Sequence, residues 1–290
     1  MGLPVDGAYQ LGEEVRFRVN VFRQRHTPAI VLRQIPMRIP DFEELNLPEV
    51  MRVIADEPRG LALVTGVTGS GKSTTLACMM NFINRRRSVH ILTIEDPIEF
   101  MYTDDISSIS QVEIGFDAGG FGDAIRSSLR QDPDIILVGE MRDLETVRTG
   151  LKAAEMGYMV FSTLHTTDAV KTVNRILDVF PGHQQRQVRF QLSAAVKAIV
   201  SQRLLPTADG KGRRVAMEIL RTNATVRDCI ENEEKTSGLK DVLEAGRDQY
   251  QMQSFDQHLT ELYKAGVISL ETAMDASSSP SDFQRALDFE

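Results

Sequence analysis

From residue 15 to 22 apolar and polar positions alternate, Val15-Arg16-Phe17-Arg18-Val19-Asn20-Val21-Phe22, the period of a strand whose two faces differ. Ile30 to Ile35 reads likewise. Prolines at 36, 40 and 48 then break the pattern, so residues 36–57 are expected to link an N-terminal unit, 1–35, to a larger domain, 58–220. In that domain the apolar runs Leu61 to Val64, Val89 to Ile94, Ile135 to Val138 and Met159 to Ser162 alternate with helical patterns. These begin at Lys72 and cover about Phe121 to Leu129 and Leu144 to Met156. Strands that alternate with helices predict an α/β fold, a mostly parallel sheet covered on both faces with its sites at the carboxyl ends of strands. From Gln184 onward helical patterns are expected to dominate, including Gln187 to Val200 and Phe255 to Ala265, with 221–290 a helical C-terminal region.

The strand at Leu61 runs into Gly66-Val67-Thr68-Gly69-Ser70-Gly71-Lys72-Ser73, which matches G-x-x-x-x-G-K-[ST] in the strand–loop–helix context that gives the motif its meaning. Glycines let successive N–H groups point inward as an anion site, and the following helix adds its N-terminal positive field. Thr68, Gly69, Ser70, Gly71, Lys72, Ser73 and Thr74 are therefore the candidate nucleotide cradle, with Lys72 for the β and γ phosphates and Ser73 as ligand to Mg²⁺. ATP and Mg²⁺ are the expected cofactors.

Two acidic stretches end neighbouring strands. Glu140 follows Ile135-Ile136-Leu137-Val138-Gly139, and Gly139 stands where many phosphate-loop enzymes place a metal-directed Asp, which leaves Glu140 to orient or deprotonate the attacking water. In Glu95-Asp96-Pro97-Ile98-Glu99 three close carboxylates need a cation, and Glu99 is the residue expected to face the nucleotide. His165 ends the Met159 strand, placed either to donate to the γ phosphate or as a satisfied strand-end histidine. On pattern alone Arg16, Arg18 and Arg33 read as a solvated face.

Composition narrows the class. A chain of 290 residues that is 42% hydrophobic can bury a sizeable core, and its two cysteines, Cys78 and Cys229, lack metal-ligand spacing. A formal net charge of -8 argues against broad nucleic-acid binding, so no nucleic-acid partner is expected. No apolar run approaches the roughly 18 residues of a membrane span and the start lacks a targeting pattern, so a cytoplasmic location is expected.

GVTGSGKST, HILTIEDPIEF, IILVGEMRD and STLHTTDAVKTVNRI resemble, in order and spacing, the four nucleotide boxes of secretion-superfamily hexameric ATPases. More narrowly they are similar to the type IV pilus retraction motors of the PilT and PilU group. The resemblance implies a RecA-like P-loop NTPase core and residues 1–35 as the remnant of a small α+β, PAS-like N-terminal domain. The chain is thus expected to be a fragment or a truncated product. It further implies a hexameric ring and nucleotide-driven domain rotation that retracts the pilus in twitching motility. The implied partners are an inner-membrane pilus platform protein and a paralogous PilT- or PilU-like subunit, with the motor peripheral at the inner-membrane face. By the same resemblance Lys72, Ser73, Glu99, Glu140 and His165 take the box roles, and Arg18 and Arg33 the two arginines near the γ phosphate. The alternative implied is a PilU-like accessory subunit that binds nucleotide but needs a full-length partner. Tyr158 stands where PilT-like proteins usually carry a second histidine.

Overall fold

The computed structural model describes residues 5–12, 15–36 and 38–289. Strands β1 (Val5–Leu11), β2 (Val15–Gln24) and β3 (Thr27–Ile35) form an antiparallel sheet in that order. The alternation in β2 sorts its side chains. Across the β2–β3 ladder Arg16 faces Ile35 and Arg18 faces Arg33, so one side of the sheet carries the arginines. The other carries Phe17, Val19 and Val21 with Tyr9, Leu32 and Ile30 as their cross-strand partners. Over its described residues the N-terminal unit, expected to be α+β, is this sheet alone; residues 1–4, 13 and 14 of the expected 1–35 unit lie outside the described residues.

The described part of the expected linker, 36–57, also folds. Short helices α1 (Phe42–Leu45) and α2 (Val50–Ala55) lie there, the first opened by a reciprocal Asp41–Glu44 capping box. Phe42, Val50, Met51 and Ile54 are buried in one cluster with Leu76, Met79 and Ile83, which ties the segment to the large domain.

That domain runs β4 (Gly60–Thr65), α3 (Lys72–Asn84), β5 (His90–Glu95), β6 (Ser108–Glu113), α4 (Phe121–Ser128), β7 (Ile135–Val138), α5 (Leu144–Glu155) and β8 (Met159–Leu164). It continues with α6 (Ala169–Asp178), α7 (Gly182–Ala195), β9 (Val196–Pro206) and β10 (Arg213–Arg221). The sheet order is β10-β9-β4-β8-β7-β5-β6, parallel except for β10. Both faces are covered, as the continuous apolar runs require. Leu61 and Leu63 of β4 join the cluster with Val147, Leu151, Val173 and Leu192, whereas Ala62 and Val64 join the one with Leu76 and Met79 of α3. Parallel strands leave all their carboxyl ends on one edge, and the loops after β4, β5, β7 and β8 meet there.

The C-terminal region is helical, as expected: α8 (Ala224–Glu231), a 3₁₀ turn (Glu233–Gly238), α9 (Leu239–Ala245), α10 (Arg247–Tyr250), α11 (Phe255–Lys264), α12 (Leu270–Ala276) and α13 (Pro280–Phe289). Helical character does not, however, dominate from Gln184. The helix expected over 187–200 ends at Ala195, and Val196–Pro206 and Arg213–Arg221 are sheet strands. Their hairpin packs Leu205 and Ala216 against Phe255, Leu259 and Leu262 of α11.

Candidate functional site

The loop between β4 and α3 holds its glycines in the left-handed region, Gly66 at φ +144°, Gly69 at +81° and Gly71 at +93°. At Gly66 the need is steric as well: a Cβ there would lie 2.5 Å from Gln202 O and from Ser70 Oγ. Gly71 is the N-cap of α3 and supplies no side-chain cap, so the first-turn amides of α3 are not capped from that position. Lys72 is buried, 8% exposed, and its Nζ donates back to Gly66 O at 2.9 Å and Val67 O at 3.1 Å. Burial lowers its pKa, and the negative charges of Glu99 and Glu140 act in the opposite direction. An ammonium under that desolvation is a ready partner for a polyanion.

Glu140 is positioned by what surrounds it. Gly139 N donates to Ile94 O at 2.8 Å, and a Cβ at Gly139 would lie 3.2 Å from that oxygen, so the chain leaves β7 pressed against β5. Thr163 Oγ1 donates to Gly139 O at 2.6 Å and Met141 N to Thr163 O at 3.1 Å, which pins the segment to β8. Met141 is 1% exposed. In an extended segment the residues flanking a buried one share the opposite side. Arg142 Nε accordingly meets Glu140 Oε1 at 2.6 Å, while His165 Nε2 stands 3.5 Å from Oε2. Asp143 then caps α5 by accepting from Thr146 N at 2.9 Å.

At the end of β5 Glu95 is buried and accepts from Thr93 Oγ1 at 2.7 Å, Glu99 N at 3.2 Å and Gln111 Nε2 at 3.3 Å. Burial raises its pKa, which the bond from Thr93 partly counters. Glu99 is exposed and acts on Lys72 by its charge. Thus Lys72, Glu99, Glu140 and His165 gather at one edge of the sheet, with Thr68, Gly69, Ser70, Gly71, Ser73 and Thr74 on the loop and first turn.

Arg18 and Arg33 lie apart from this cluster, on the small sheet. They line a shared groove with Asn20 and Val31, and Arg18 also lines a cavity of about 360 Å³ with Ile35, Asp96, Pro97 and Glu113. Among the described residues no ion pair joins either arginine to the phosphate loop. Their neighbour Arg16 makes the contact between the two units, with Nη2 3.9 Å from Glu113 Oε2 and Nη1 3.5 Å from Met101 Sδ. Arg16, expected on a solvated face, is instead half-buried against Glu113; Arg142 and Gln202 are not singled out by the sequence pattern, and for Arg142 the usable signal is its place two residues beyond Glu140 after a buried strand.

Residues 3–284 match the family described as type II/IV secretion system protein. The chain is similar to a twitching motility protein of Neisseria gonorrhoeae, 49% identical over 271 residues that cover 93% of this chain and 72% of that one. It is also similar to the type IV pilus retraction ATPase PilT of Pseudomonas aeruginosa, 45% identical over 281 residues, 97% of this chain and 81% of that one. Its fold superposes on the crystal structure of the pilus retraction motor PilT with bound ADP at a TM-score of 0.90, with 47% identity over 97% of this chain and 80% of that one.

Proposed function

The chain belongs to the type II/IV secretion system protein family, and from that membership and the geometry of its site we propose that it is an ATPase motor that drives retraction of type IV pili. The observation that carries the reading is the meeting of a glycine-built amide loop, a desolvated Lys72 and a Glu140 flanked by Arg142 and His165 at the carboxyl edge of one mostly parallel sheet.

ATP is the substrate the loop fits. Lys72 gives up its bonds to Gly66 O and Val67 O for phosphate oxygens, and the amides of residues 69–74 complete the cradle. Ser73, in the first turn of a helix without a side-chain cap, would hold Mg²⁺ together with phosphate oxygens and water. When bound, that ion neutralises charge on the transferred phosphoryl group. Glu140 orients and deprotonates the attacking water, and His165 donates toward the γ phosphate. Glu99, whose charge acts on Lys72, faces the nucleotide. Arg18 and Arg33 reach the γ phosphate from the small sheet, and loss of that phosphate releases charge-assisted bonds that hold two rigid bodies together. Hydrolysis thereby becomes rotation of one unit against the other, transmitted through a homo-hexameric ring to the pilus platform at the inner-membrane face.

Phosphate release by the purified oligomer tests the reading, measured beside solution mass with and without ATP. The wild-type chain is expected to hydrolyse ATP as an oligomer and Glu140→Gln to bind it without turnover. Turnover by Glu140→Gln equal to wild type removes the assigned chemistry. Activity that appears only on addition of a full-length PilT- or PilU-like subunit instead identifies an accessory role.

A further inference from the structure

We infer that Gln202 is a positioning residue for the phosphate loop, a strut from β9 that holds the loop in its nucleotide-binding shape; this rests on the reading of that loop as the nucleotide site.

The argument begins with the ladder. After a shift in register at Leu61/Ala62, β4 and β9 pair in step from Ala62–Ala198 until Thr65 meets Ser201, whose Oγ accepts from Thr65 Oγ1 at 3.0 Å. There β4 turns away into the loop while β9 continues, so the next β9 residue, Gln202, lies beneath the loop and not beside a strand. It is 2% exposed. Its main-chain oxygen, with Ser70 Oγ, bars a side chain at Gly66, and its Nε2 is the group nearest a Cβ built on Gly71, at 3.7 Å. The same Nε2 donates to Ser70 O at 3.3 Å. One residue thus bonds to the middle of the loop and closes off the space at its first and last glycines.

A second observation concerns polar atoms. Among the described residues Ser70 Oγ and Gln202 Oε1 are both buried and without a hydrogen-bond partner, and they belong to the two residues that make this contact. Groups of this kind are costly to leave unpaired, and they sit together beneath the one loop that must accept a polyanion. A hydroxyl donor and an amide acceptor are complementary. A small closure of the loop around phosphate lets Ser70 Oγ donate to Gln202 Oε1, so that anion binding and satisfaction of the strut support each other.

The 290-residue chain carrying Gln202→Met, which keeps the volume and removes the amide, and the chain carrying Gln202→Ala are titrated with a fluorescent ATP analogue and the corresponding ADP analogue. Both are expected to bind both nucleotides about tenfold more weakly, as loss of a buried hydrogen bond and exposure of an unpaired carbonyl imply. Turnover at saturating ATP stays within about twofold of wild type. Wild-type affinity in Gln202→Met, or a loss confined to turnover, overturns the strut. Lys72→Ala is the control that separates the two levels. Wild-type binding lost in Lys72→Ala but kept in Gln202→Met removes only the strut, whereas a wild-type chain that fails to bind removes the nucleotide reading and the strut with it.

Discussion

His165 Nε2 stands 3.5 Å from Glu140 Oε2, which brings the residue after β8 against the second residue beyond β7. The first prediction follows from that pair. Glu140→Gln is expected to abolish measurable turnover, because a general base contributes about 10² to 10⁴, and His165→Ala to lower it by about 10² through loss of a donor to the γ phosphate. ATP affinity changes little in either. Single-turnover phosphate release together with nucleotide titration separates the effects.

Arg18 and Arg33 make a second case. Arg18→Ala and Arg33→Ala are each expected to cost about 10² to 10³ in turnover, within the range of phosphate-directed arginines, with ATP and ADP affinity nearly unchanged. Arg23→Ala, on the same strand but beyond the groove, serves as comparison. Equal rates in all three chains would falsify the arginine assignment.

Gly66 is a backbone requirement. Its φ of +144° and the 2.5 Å approach of Gln202 O to any Cβ predict that Gly66→Ala loses roughly 2–4 kcal/mol of stability together with nucleotide binding. Thermal unfolding and analogue titration read both. Gly69→Ala, with open space around the added methyl, meets only the cost of its φ of +81° and is expected to lose less.

The β9–β10 hairpin and α11 hold a half-buried Glu218 and a buried His258 with opposite pH behaviour. Burial raises the Glu218 carboxyl from 4.5 to about 7, against a bond from Ala169 N at 2.8 Å, and lowers His258 from 6.5 to about 4. Folded Glu218 keeps a proton that the unfolded chain has released, so its contribution falls as pH rises from about 4.5 to 7. Folded His258 refuses a proton that the unfolded chain takes, so its contribution rises from about pH 4 to 6.5. The wild-type curve is therefore shallow between about pH 4.5 and 6.5, where the slopes oppose. Glu218→Gln retains an acceptor for Ala169 N and removes one slope. It is expected to gain roughly 2 kcal/mol over wild type between pH 5 and pH 8, read from denaturant midpoints.

The parts legible in the sequence are those where one physical demand dominates. β4, β7 and β8 are buried on both faces and show as unbroken apolar runs, and the phosphate loop announces itself through glycine. β6 escaped because an edge strand of Ser108, Ser110 and Gln111 carries little apolar signal. β9 was hidden for the opposite reason. Leu192, Ala195, Val196, Ile199 and Val200 keep helical spacing across the junction, and only the β-branched character of the last three favours the sheet that captures them. At the site Lys72, Glu140 and His165 follow strands and could be placed by order. Gln202 could not, since its role depends on where β4 departs from β9, a fact of pairing and not of spacing.

The direct opposition of Arg18 and Arg33 across β2 and β3 sets two like charges on one rung, an arrangement that weakens a strand pair by up to about 1 kcal/mol. An anion held between them would reverse the sign of that rung. On the proposed function, in which Arg18 and Arg33 meet the γ phosphate, the small sheet is firmest with nucleotide loaded and slackens once that charge departs.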